Sequence, residues 1–138
     1  MEPQNKLVWS DKYSVDVALI DDQHKMLFTI INELIDTIAS GPTDAKLNDI
    51  ITRLVQHKME HFATEEKYFK EFNYEKTDEH VSKHRSFNGS IENIQKKYAQ
   101  DVPAFAFALV DFLENWLVDH LLTIDQQYKE CFKSHGLK

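Results

Sequence analysis

The chain has 138 residues, a formal charge of −7 and a single cysteine, Cys131. That length suits one domain, the acidic balance excludes the concentrated basic face that a nucleic-acid partner needs, and a lone thiol excludes an intrachain disulfide. With only three Gly and three Pro, loop-rich and many-stranded architectures are excluded too, which leaves an all-α reading.

Residues 1–19 read as an extended arm carrying Trp9, Tyr13, Val15 and Val17, lying across helix ends. Met1 to Trp9 has neither a basic segment nor an apolar run, and no stretch approaches the roughly 18 apolar residues that cross a bilayer. A soluble, cytoplasmic protein without membrane insertion is therefore expected. The first helix is predicted over about 21–39, opening at Asp21 or Asp22 and ending before Gly41-Pro42, with Leu27, Ile31, Leu34, Ile35 and Ile38 on one stripe. The second spans about 44–72, with Leu47, Ile50, Ile51, Leu54, Phe62, Phe69 and Phe72. Thr77 is the expected cap of a third helix over 77–99, with Phe87, Ile91, Ile94 and Tyr98 inward. Asp101, with Pro103 in the first turn, opens a fourth over 102–126 through Phe105, Leu109, Phe112, Leu113 and Trp116. Residues 127–138 read as a short tail. Short connections favour antiparallel neighbours, so the chain is predicted to be an up-down-up-down four-helix bundle in a single domain over 1–138.

Histidines interrupt these stripes. At about 100° per residue, His24 lies on the Leu27/Ile31 face, and His61 and Glu65 share the Leu54/Phe72 face. His80 and His84 share the Phe87/Ile91 face, and His120 continues the Leu109/Leu113/Trp116 face. A lone histidine on an apolar stripe is usually a hydrogen-bonded core residue, but alternating topology puts all of these at one end of the bundle. Five imidazoles and a carboxylate in one apolar layer ask for metal. They exceed the four ligands of a structural zinc and include no thiolate. Imidazole with carboxylate suits iron, and the number suits two ions, with zinc, copper and manganese also compatible.

Asp125 follows His120 by five residues, about 140° away on a regular helix. It reaches the same site only if the helix widens to a π-type turn near 120–125, and that widening is predicted. His57, Glu66 and His135 read as surface or boundary residues. Lys58 falls near the middle of its stripe, and its stem is expected to pack while its amine reaches water.

These residues form an ordered set. Asp21-Asp22-Gln23-His24, His61-Phe62-Ala63-Thr64-Glu65-Glu66, His80-x3-His84 and Trp116-Leu117-Val118-Asp119-His120-x4-Asp125, with the arm Trp9-x4-Ser14-Val15, resemble the hemerythrin family in its stand-alone bacterial form. The resemblance implies one iron held by His80, His84 and His120, and a second held by His24 and His61 with an open position. It implies Glu65 and Asp125 as bridges beside an oxo or hydroxo group. It further implies reversible dioxygen binding for transport or storage, as a hydroperoxide on the open iron, with no catalytic residues and no enzyme activity. By the same analogy Phe28, Phe62, Trp116, Leu117 and Leu121 line the oxygen pocket, although plain core packing would place them equally well. Tyr68, Phe69 and Glu75 depart from the family pattern around the second connection. The rival readings are a di-iron oxidase, peroxidase or nitric-oxide-handling enzyme, and an iron or oxygen sensor. No motif names an enzyme that would receive the oxygen.

Overall fold

In the computed structural model, which describes residues 6–138, four long helices form the bundle: α1 (Ala18–Ser40), α2 (Asp44–Glu71), α3 (Thr77–Lys97) and α4 (Val102–Asp119). The connections 41–43, 72–76 and 98–101 are short, and α1 and α3 each pack against both α2 and α4, giving the up-down-up-down square. No strand occurs among the described residues, and no helix there is long and apolar enough to cross a membrane.

Local chemistry explains three of the helix ends. Thr43 caps α2 by accepting from Lys46 N, and Asp101 caps α4 by accepting from Ala104 N with Pro103 in the first turn. Gly41 closes α1 at a φ of 102°, a conformation that favours glycine. One expected start and one expected cap are displaced. Helix α1 begins at Ala18, a turn before the expected aspartates, because Val17 and Ile20 are buried and draw that turn into the fold. Asp21 instead fastens the arm, accepting from Ser14 Oγ at 2.6 Å and Val15 N at 2.9 Å. Lys76, not Thr77, occupies the cap position of α3; the Thr77 hydroxyl donates back to Tyr74 O.

The described part of the arm is anchored rather than loose. Asn32 exchanges two hydrogen bonds with the Leu7 backbone, and a short 3-10 turn at Asp11–Tyr13 brings Trp9 and Tyr13 onto Phe28. Residues 1–5 of the expected arm lie outside the described residues.

The fourth helix does not run regularly to 126. A π turn spans His120–Ile124, a 3-10 turn spans Asp125–Tyr128, and α5 (Lys129–Ser134) follows. The segment expected to be a tail is built into the fold, because Tyr128 and Phe132 are fully buried. They join Val15, Val17, Ile20, Phe69 and Tyr74 in a second apolar cluster, separate from the main core of the four stripes.

Candidate metal centre

The helical stripes that build the core also deliver its polar interruption. His24, His61, Glu65, His80, His84, His120 and Asp125 are each at most 3% exposed. They sit between the two apolar clusters: Phe62 of the main core stacks on His84 at 3.7 Å, while Phe69 and Tyr128 of the second pack against His80. All seven predicted ligands are thus brought together at one depth. They form two overlapping groups able to hold a cation, Glu65 with His80, His84 and His120, and Glu65 and Asp125 with His24 and His61.

Both carboxylates lie between imidazoles of the two halves. Asp125 places Oδ1 3.1 Å from His80 Nε2 and 2.9 Å from His120 Nε2, and Oδ2 3.1 Å from His24 Nε2. Glu65 Oε1 lies 3.1 Å from His61 Nε2 and 3.2 Å from His84 Nε2, with Oε2 3.8 Å from His80 Nε2. Despite these short separations, all four carboxylate oxygens and His84 Nε2 lack a partner with hydrogen-bond geometry. His24 Nε2 and His61 Nε2 approach to 2.9 Å, and His80 Nε2 and His120 Nε2 to 3.2 Å. The donors converge on shared points rather than on one another. Buried polar atoms left this way are costly, whereas metal ligation satisfies carboxylate oxygens and imidazole nitrogens together. The donor set therefore fits metal.

The charges agree with that geometry. Burial and the Asp125 charge push the Glu65 carboxyl up, but His61 and His84 outweigh them and hold it well below the usual carboxylate range. Burial likewise opposes ionisation of Asp125, and His120, His24 and His80 overcome it. Burial drives His61 down to about 4 and lowers His120, which keeps imidazole neutral and able to ligate. For His80 burial also acts downward, yet the Asp125 contact raises it.

The π turn is what brings Asp125 in. Its backbone N–H donates to His120 O, an i→i+5 bond, so residues five apart share a face. The widening expected from the His120-x4-Asp125 spacing is present.

The remaining predicted residues take varied places. Phe28, Phe62, Leu117 and Leu121 are buried in the main core, and Trp116, half-buried, stacks on His120 at 4.3 Å. His57 and Glu66 are half-buried and His135 is exposed. Lys58 departs from expectation. It is only 3% exposed, and its amine sits among the rings of Phe62, Phe87 and Trp116 instead of reaching water, because those rings cover the stripe on three helices.

Three supporting residues had no role assigned from the sequence, Glu66 among them as a surface or boundary residue. Gln23 Oε1 lies 2.7 Å from His61 Nδ1, and Glu66 Oε2 lies 3.3 Å from His84 Nδ1, each orienting a ring from its far side. Tyr128 is buried beside the carboxylates, and burial with their charge holds its phenol well above the usual range. The Tyr128/Phe132 spacing, one helical turn apart and following Asp125, was the available signal for the third.

A model of the Hemerythrin HHE cation binding domain matches residues 15–132. A bacteriohemerythrin of Clostridium acetobutylicum is 30% identical over 125 residues, covering 88% of this chain and 97% of that protein. A myohemerythrin of Sipunculus nudus is 28% identical, covering 88% and 90% respectively. A crystal structure of wild-type hemerythrin superimposes with a TM-score of 0.77 at 27% identity, covering 92% of this chain and 98% of the other.

Proposed function

The chain belongs to the hemerythrin family, and from that premise we propose that it binds dioxygen reversibly, for transport or storage, at a non-haem di-iron centre. The observation that carries this reading is the pair of buried carboxylates, Glu65 and Asp125, each set between imidazoles of two groups with no hydrogen-bond partner of its own. His80, His84 and His120 would hold one iron, and His24 and His61 the other. Glu65, Asp125 and a solvent-derived oxo or hydroxo group would lie between them. When bound, such a pair supplies electrons and an open coordination position for dioxygen.

The chain's own residues do the rest. Gln23 and Glu66 fix the rings of His61 and His84, so the ligands meet the metal without reorganising. Phe28, Phe62, Trp116, Leu117 and Leu121 form an apolar wall that excludes water and acids. Keeping out bulk water and dissolved acids favours release of dioxygen unchanged over its further reduction. Glu-x-x-His motifs, which place carboxylate-rich ligand sets in oxidase bundles, do not occur in the sequence. The imidazole-rich set supports binding without turnover.

Reduced, iron-loaded protein exposed to air is expected to gain an oxygen-dependent charge-transfer band in the visible and to lose it under vacuum. Immediate conversion to a ferric spectrum with no reversible band would replace the carrier reading with di-iron oxidase or peroxidase chemistry.

A further inference from the structure

Lys58 is a charged residue where the bundle has an apolar stripe. Its Nζ lies 4.3 Å from the ring centroid of Trp116, 4.8 Å from that of Phe62 and 5.1 Å from that of Phe87, contributed by α4, α2 and α3. None of the ion pairs among the described residues includes it. Glu65 and Asp125, the carboxylates whose pull it feels, are turned to the imidazoles. Two of the rings that carry the amine also carry ligand imidazoles, Phe62 stacking on His84 and Trp116 on His120.

This way of burying an ammonium has a particular electrostatic result. An aromatic face stabilises a cation through its quadrupole and has no net charge of its own. A carboxylate partner would cancel the charge, whereas a cage of rings leaves its field intact in a medium that screens poorly. The rings of Phe62 and Trp116, which carry the amine, stack directly on His84 and His120, so that field reaches the neighbouring site. Burial pushes the amine down to about 8, so the protonated form still predominates at neutral pH. An unbranched apolar residue such as methionine would fill the same space without the cost of desolvating a charge.

We propose that Lys58 is a positioning residue for the redox state of the metal pair: its uncancelled positive charge favours the reduced form, the one that takes up dioxygen. The inference rests on the di-iron reading above. Oxidation adds positive charge to the centre, and a fixed cation one aromatic layer away opposes that addition. Lys58 acts through the field alone, so a residue of equal charge should replace it and a residue of equal shape should not.

The test uses iron-loaded protein, with iron per chain counted before any potential is measured. Lys58→Met is expected to load two irons and to show a lower midpoint potential. At a fixed potential its reduced-to-oxidised ratio should fall ~10-fold, about 59 mV for a one-electron step. Lys58→Arg should restore the ratio to within about two-fold, since it keeps the charge and stacks on aromatic faces. A fully loaded Lys58→Met protein with an unchanged potential overturns the proposal while leaving the di-iron reading intact. Wild-type protein that fails to take up two irons overturns both. Should Lys58→Met fail to fold, the side-chain nitrogen resonance of Lys58 in zinc-loaded wild-type protein at pH 7 decides the matter. An ammonium signal supports the proposal and a neutral amine overturns it.

Discussion

Gln23 shows how much of the site depends on residues that ligate nothing. Its Oε1 accepts from the His61 ring at Nδ1, and its Nε2 donates to the Thr64 hydroxyl, which itself donates to Glu60 O. The amide is thereby held in one orientation, and it fixes both the tautomer and the plane of the imidazole. Replacing Gln23 with alanine should weaken metal binding by about 10- to 100-fold while leaving helix content unchanged. Chelator competition reads the first and far-UV circular dichroism the second. An affinity within about two-fold of wild type would mean that His61 is oriented by packing alone. The histidines themselves were legible because an α-helix repeats every 100°, so a polar residue on an apolar stripe stands out in one dimension. Gln23 was not, because its partner lies on another helix and half-exposed glutamine is ordinary. Lys58 was seen on its stripe but misjudged. Snorkelling is the usual outcome for lysine, and the rings that enclose it come from three separate segments.

The π turn is the element on which the site's last ligand depends. In a regular helix residues four apart share a face, whereas within His120–Ile124 the shared face falls five apart. The segment therefore behaves as an α-helix with one residue inserted. Deleting Leu122, which is exposed, should let the turn relax to regular α geometry while His120 and Asp125 keep their common face. Tyr128 and Phe132 would keep their register as well. Deleting Asn115 from the regular part of α4 rotates everything beyond it by about 100° relative to Leu109 and Leu113 and should abolish the site. Metal stoichiometry of the two deletion proteins, compared with helix content, separates these outcomes. Equal loss in both would show that the widened turn itself, rather than the shared face, is needed. The spacing His120-x4-Asp125 made this irregularity legible. The 3-10 turn and α5 behind it were not, since Lys129, Lys133 and the run Ser134–Lys138 give the segment a polar average that hides two buried aromatic rings.

At the scale of the molecule, the stripe periods and short connections specified the bundle, because each helix has one apolar face to bury and antiparallel neighbours bury it with the least chain. What they could not specify was the cost of filling one layer of that bundle with ionisable groups, and this cost should appear in the pH dependence of the metal-free protein. His61 titrates near 4 in the fold, below its ordinary 6.5, because burial disfavours the imidazolium. Between those values the unfolded chain holds the proton and the fold does not, so stability falls as pH drops from 6.5 toward 4. A gap of this size corresponds to a loss on the order of 3 kcal/mol, and the lowered His120 adds to it in the same direction. His80 has the opposite sign: its raised value gives stability already complete below 6.5, which cannot offset a loss that begins there. Glu65 and Asp125, held well below their ordinary values, contribute stability above about 4 that disappears as each is finally protonated. Chemical denaturation of chelator-stripped protein at intervals between pH 7 and 4 should therefore show a midpoint that declines from about pH 6.5 downward. Iron-loaded protein should hold its midpoint until protons displace the metal from the imidazoles, then drop over a narrower interval. A flat profile in the stripped protein would show that water enters the layer once metal leaves, and that the imidazoles are no longer desolvated.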